Sequence, residues 1–285
     1  MGTRNLTMAV ADGKIKLAQY CQWDGYPSGQ GEKVLTTLQT ADLKELERKI
    51  RALKPITPED IKKRWVECGA DPDSDMVSLA VSDRMKEKYP HLQRDLGGDV
   101  LNYILSQPAG LEVETDVRFA GDSLFCEWAY LIDFDKGTFE AYGGYNTYPL
   151  SKKDRFFFLQ ADAIKANKEK AETFKARGMG ERTDYYPIRM IKSYKLSKLP
   201  TSKKFEKDCN AEYEASRFLD IIRDAKVVDV PSIKTSHKAV LAKVLSVSDN
   251  LPLLTGLDSD LDEQIERRLK VVPKEDTHGK KKASE

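Results

Sequence analysis

Histidine is scarce in this sequence, with three (His91, His237 and His278) in 285 residues. No pair has HxxxH or HExxH spacing, and the four cysteines (Cys21, Cys68, Cys126 and Cys209) form no CxxC. Those absences remove the usual zinc-ligand patterns, so no metal and no cofactor is expected. GxSxG, GxGxxG and a Walker loop are also missing, which leaves Ser-hydrolase and nucleotide-loop readings without a motif. An excess of one charge is lacking too. Lys and Arg total 47 against 46 Asp and Glu, a net charge of +1. General nucleic-acid binding, which needs a basic face, is therefore not expected. No apolar run approaches the roughly 18 residues of a membrane span. The opening MGTRNLTMAVADGKIK lacks a secretory apolar region, and Leu6 occupies the Ser/Thr position of a myristoylation signal. Widely spaced cysteines suit a reducing compartment. These absences describe a soluble, cytoplasmic protein without a membrane partner.

What is present is enough apolar residue, 40% of the chain, to bury a core. Leu6, Met8 and Val10 alternate with polar or small residues up to Asp12-Gly13, a pair suited to a type I′ turn. Ile15 and Leu17 mark the returning strand. A short helix carries Val34, Leu35 and Leu38, and residues 42–107 are helical in period. Within them Thr57-Pro58-Glu59-Asp60 reads as a helix start whose helix buries Ile61, Trp65 and Cys68. Leu92, Leu96, Val100 and Ile104 predict a helix over 92–107. Leu111, Val113, Val117 and Phe119 alternate with Glu112, Glu114, Asp116 and Arg118, predicting a half-buried strand. Strands over 124–134 and 138–145 follow, completing an antiparallel meander, and 187–196 predicts one more. Helices are expected over 201–225, 232–247 and 259–272, and disorder over 273–285.

The expected fold class is α+β: an antiparallel sheet, made of the N-terminal hairpin and the central meander, packed with helices. The expected division is a body over 1–197, a helical part over 198–272 packed on it, and the tail.

One segment exceeds structural need. The loop QWDGYPSGQG, residues 22–31, joins a strand to a helix and sets Trp23, Asp24 and Tyr26 among three glycines. Trp23 and Tyr26 offer stacking faces and Asp24 an acceptor. The amides of Gly29 and Gly31, at a helix start, are candidates to hold an anion. The competing reading is a scaffold loop in which Trp23 plugs the core and Asp24 caps amides. Other motifs have plainer explanations. Glu112, Glu114 and Asp116 share a face that metal ligation would use, but a wet face balanced by Arg118 explains it. SKKDRFFFL, residues 151–159, mixes bases and aromatics as single-strand binders do, yet fits a segment entering the core. His91 reads as a helix-start residue, and His237 lies on an apolar stripe.

MGTRNLT, KIKLAQYCQWDGYPSGQG and YPHLQRDLGGDVL together resemble a family of uncharacterised bacterial, phage and fungal proteins. They open with GTRNL and carry the same aromatic Gly-rich loop. The resemblance implies a common N-terminal organisation and a phage or mobile-element origin, without an activity. The functional expectation is an intracellular binding or interaction protein. Its ligand-binding residues are Trp23, Asp24, Tyr26, Gly29 and Gly31, and its partner is a protein or a small anionic ligand. The alternative is an amidohydrolase-like enzyme of the N-terminal-nucleophile type. Against it, Met removal exposes Gly2, and Thr3 would need a further cleavage.

Overall fold

A computed structural model of the protein describes residues 2–74, 76–179, 183–224, 227–229 and 253–255, with side chains described through residue 217. The expected helices over 232–247 and 259–272, the tail, His237 and His278 lie outside the described residues.

The chain divides into two units, residues 1–213 and 214–285. The first is built on a five-stranded sheet with spatial order β2-β1-β5-β6-β7. The strands are β1 (Asn5–Ala11), β2 (Lys14–Cys21), β5 (Trp128–Asp133), β6 (Thr138–Gly143) and β7 (Arg189–Lys195). The β1–β2 hairpin forms as expected. Asp12 and Gly13 take φ of 55° and 67°, the two positive angles that a type I′ turn requires. In the second unit, Val227–Asp229 pairs in parallel with Leu253–Thr255.

The sheet is mixed, which corrects the antiparallel expectation. β1 pairs in parallel with β5, Asn5 opposite Trp128 through Val10 opposite Asp133. A parallel pair needs a long crossover. Here the crossover contains α1 (Glu32–Thr40), α2 (Leu43–Arg51), α3 (Pro58–Glu67), α4 (Leu79–Lys88) and α5 (Val100–Ser106). Parallel alignment brings the ends of β1 and β5 to one side of the sheet. There Asp135 accepts from the amides of Asp12 (3.1 Å) and Gly13 (2.8 Å), and Arg51 bonds both aspartates and Glu47.

The half-buried strand expected over 111–119 is also corrected. Only β4 (Glu112–Val113) is extended, paired in parallel with β3 (Lys54–Pro55) in a separate two-stranded sheet. Beyond it the Asp116 carboxylate accepts from the Arg118 amide, and Arg118–Gly121 winds into a 3₁₀ turn. The apolar residues of this segment also split between two cores. Leu111 and Val113 pack in one, and Val117 and Phe119 in the other.

Those cores cover opposite faces of the sheet. On one face Trp128, Tyr130, Ile132 and Phe139 meet Val34, Leu35, Leu46, Ile50 and Leu101, with Phe205 and Cys209 from α7 (Ser202–Asp224). On the other, Leu6, Met8, Ala129, Leu131 and Tyr142 meet Phe156, Leu159 and Ile188. β5 is accordingly buried along its whole length. Phe156 and Leu159 lead into α6 (Gln160–Ala176) and enter the core, while Ser151, Lys152, Lys153 and Phe158 stay exposed.

The Thr57 N-cap forms, its hydroxyl accepting from the Asp60 amide at 3.1 Å. Of the residues that α3 was expected to bury, Cys68, just past its end, is buried, while Ile61 and Trp65 are half-buried. The expected helix over 92–107 starts only at Val100. Gly97 adopts φ 54°, and the Gly98 amide leaves the helix to bond Gln30 Oε1 at 2.8 Å.

Candidate functional site

The loop after β2 is tied down from several sides. Asn5, wholly buried on β1, extends its amide nitrogen to within 3.4 Å of the Cys21 and Trp23 carbonyls. The Gly25 amide donates to Thr3 O at 2.9 Å, and the buried Tyr130 hydroxyl donates to Gly25 O at 2.8 Å. Pro27–Gly31 then winds as a π-helical turn directly into α1. Such turns are rare and recur at functional sites.

On this fixed backbone the aromatic residues face outward. Trp23 is 47% exposed and Tyr26 42% exposed, so Trp23 does not plug the core. Gly2 backs the indole: a Cβ there would stand 2.2 Å from the ring. Asp24 adopts φ 54°, a conformation rare outside Gly, Asn and Asp. Its carboxylate accepts from the Tyr26 hydroxyl at 2.9 Å and, by that bond, raises the phenol above its ordinary value.

The anion cradle expected at Gly29 and Gly31 does not form. Both amides donate to Tyr26 O, at 2.9 and 3.4 Å, so neither is left for a ligand. Packing accounts for both glycines. A Cβ on Gly29 would stand 2.2 Å from Asp24 O, and one on Gly31 would stand 2.7 Å from the Tyr130 ring. The structure therefore brings Trp23, Asp24 and Tyr26 to the surface and places Gly29 and Gly31 beneath them.

All four cysteines are buried. Burial raises the thiols of Cys21 and Cys126, and pushes Cys209 up to about 12, so these are thiols rather than thiolates at neutral pH. Among the described residues no group of three His, Cys, Asp or Glu could hold a metal. No described helix is long and apolar enough to cross a membrane.

His91 lies in the turn Pro90–Leu92, 6% exposed and stacked on Tyr103 at 5.2 Å between ring centroids. Among the described residues its buried Nδ1 has no hydrogen-bond partner, and burial lowers its pKa from the ordinary 6.5. The unfolded chain thus takes up this proton from about pH 6.5 downward while the folded chain resists it. The associated stability is complete above that pH and is lost on acidification. We expect the wild type to lose more stability between about pH 7.5 and 5.5 than His91→Phe, which keeps the stacking. Urea unfolding at both pH values checks this, and equal losses would exclude His91 as the cause.

Sequence reasoning missed a buried polar cluster. Arg155 bonds Asp133 Oδ2 at 2.6 Å, Glu140 Oε1 and Oε2 at 3.0 and 3.1 Å, and the Tyr142 hydroxyl at 3.1 Å. Burial opposes the Arg155 charge, but the bonds to Glu140 and Asp133 outweigh it and hold the guanidinium protonated. An acid in the middle of an otherwise apolar strand, Thr138-Phe139-Glu140-Ala141-Tyr142, is the signal that marks this cluster. Every acid in it has a partner, so it serves as an internal brace.

Comparison of the chain with protein-family models, with curated proteins and with solved structures gives no match.

Proposed function

We propose that this chain is a binding protein that engages its partner through the 22–31 loop, with Trp23, Asp24 and Tyr26 as contact residues. The observation that carries this reading is the combination of two half-exposed aromatic side chains with a backbone braced by buried hydrogen bonds. Tryptophan and tyrosine anchor many interfaces because each buries a large area with few rotatable bonds. A braced loop loses little further entropy on binding. The Asp24–Tyr26 hydrogen bond fixes the carboxylate beside the phenol and adds directionality to an otherwise apolar contact. A protein partner suits these groups better than a small anion, because the Gly25, Gly29, Gln30 and Gly31 amides already donate to backbone carbonyls.

Asp24→Asn tests the reading. Asparagine tolerates φ 54° and keeps an acceptor for Tyr26, so stability should change by less than about 0.5 kcal/mol. Affinity capture from the native host should recover a partner with the wild type and lose it with Asp24→Asn and with Tyr26→Ser. Undiminished recovery by both folded variants would place the binding surface elsewhere.

A further inference from the structure

Glu112, Glu114 and Asp116 lie two residues apart, and the middle acid stands apart from its neighbours. Arg64 Nη2 pairs with Glu112 Oε2 at 3.0 Å, and Arg118 Nε bonds the two Asp116 oxygens at 3.0 and 2.8 Å. Glu114 is half-buried, and among the described residues its carboxylate has no hydrogen-bond donor and no ion pair. The start of α3 does not serve it either. The Asp60 and Ile61 amides are taken by the Thr57 hydroxyl and carbonyl, and Pro58 has no amide to offer.

Glu114 lines a cleft of about 340 Å³. Ile56, Pro58 and Ile61 supply apolar wall, Thr115 and Asp116 stand beside the carboxylate, and Arg118, its charge taken up by Asp116, completes the lining. Burial, helped by the Asp116 charge, raises the Glu114 pKa above the ordinary carboxylate value. A half-buried carboxylate without a partner is only partly hydrated, and a cation seated against it supplies the missing charge-assisted partner. The apolar wall selects among cations: it favours one with a hydrocarbon stem over a bare, strongly hydrated ion.

From this juxtaposition we propose that the Glu114 cleft is a binding site for an alkylammonium group, its nitrogen on the Glu114 carboxylate and its methylenes against Ile56, Pro58 and Ile61. The site is separate from the aromatic loop and does not rest on the role proposed for it. A free amine and a lysine side chain carry the same chemistry.

The full chain, titrated calorimetrically at neutral pH with methylamine, n-pentylamine, 1-pentanol and N-acetyl-lysine methylamide, tests this. For the wild type, affinity should rise from methylamine to pentylamine, because each added methylene leaves water. Glu114→Gln should weaken pentylamine about tenfold or more, since the charge-assisted bond is lost. Its unliganded melting temperature should equal or exceed that of the wild type, because a half-buried charge without a partner is gone. Binding of pentylamine together with the lysine analogue would assign the cleft to either source. Binding of pentylamine alone would assign it to free amines. Equal affinity of Glu114→Gln and wild type for pentylamine, or of 1-pentanol and pentylamine for the wild type, would overturn the site. So would failure of both amines to bind, or a lower melting temperature for Glu114→Gln, which would make Glu114 a structural residue.

Discussion

Arg155→Met should destabilise the protein by about 3–5 kcal/mol, because it strands two buried carboxylates. Asp133 and Glu140 have side chains only 2% and 6% exposed, and Arg155 is the cation bridging them. Methionine fills much of the space, so lost packing is a minor part of the effect. The Lys136 amide and the Thr138 hydroxyl, which also bond these acids, are neutral donors and cannot replace the charge. In the variant one of the two acids should hold its proton to a higher pH than it does in the unfolded chain. Such a raised pKa stabilises the fold below it, so the deficit relative to wild type should shrink as pH falls toward 5. Adding Asp133→Asn and Glu140→Gln to Arg155→Met should recover much of the loss, since neutral amides need no counterion. Urea midpoints for the wild type, the single variant and the triple variant at two pH values separate these terms. A deficit independent of pH would mean that packing, and not stranded charge, holds this part of the sheet.

Features governed by neighbouring residues were legible in the sequence. The Asp12-Gly13 turn and the Thr57 cap are decided within four residues, by backbone angle and by one hydroxyl, and both form. The β1–β5 pairing was not legible. It joins segments more than 120 residues apart, and the alternation in each strand is the same whether the neighbour runs parallel or antiparallel. The 111–119 segment misled because alternation implies one buried face, whereas its two halves bury themselves on opposite faces of the sheet. The Arg155 cluster drew its members from β5, β6 and the segment before α6, so Glu140 alone carried a local mark and its partners could not be read from the sequence. At the candidate loop the composition singled out Trp23, Asp24 and Tyr26 as contact residues, and all three are exposed. It could not tell a glycine needed for ligand approach from one needed for packing, because either role calls for the same missing Cβ.

Gly29→Ala distinguishes those two roles and should be among the more damaging single changes in the loop. A Cβ there would sit 2.2 Å from the Asp24 carbonyl oxygen. That oxygen is backbone and already accepts from the Gln30 amide at 2.8 Å, so it cannot swing aside as a flexible side chain would. The strain must move Asp24, which already holds φ 54°, or unwind the Pro27–Gly31 turn. Overpacking of this kind costs about 1–3 kcal/mol, and here it acts on the segment that positions Trp23 and Tyr26. The variant should therefore unfold at lower urea, show altered Trp23 fluorescence and lose the partner together with its stability. Ser28→Ala, one residue earlier and exposed, should change none of the three. If Gly29 instead exists so that a ligand can approach its backbone, Gly29→Ala would keep wild-type stability and fluorescence and lose binding alone. With its amide already bonded to Tyr26 O, the packing role requires the combined loss, and a selective loss of binding would refute it.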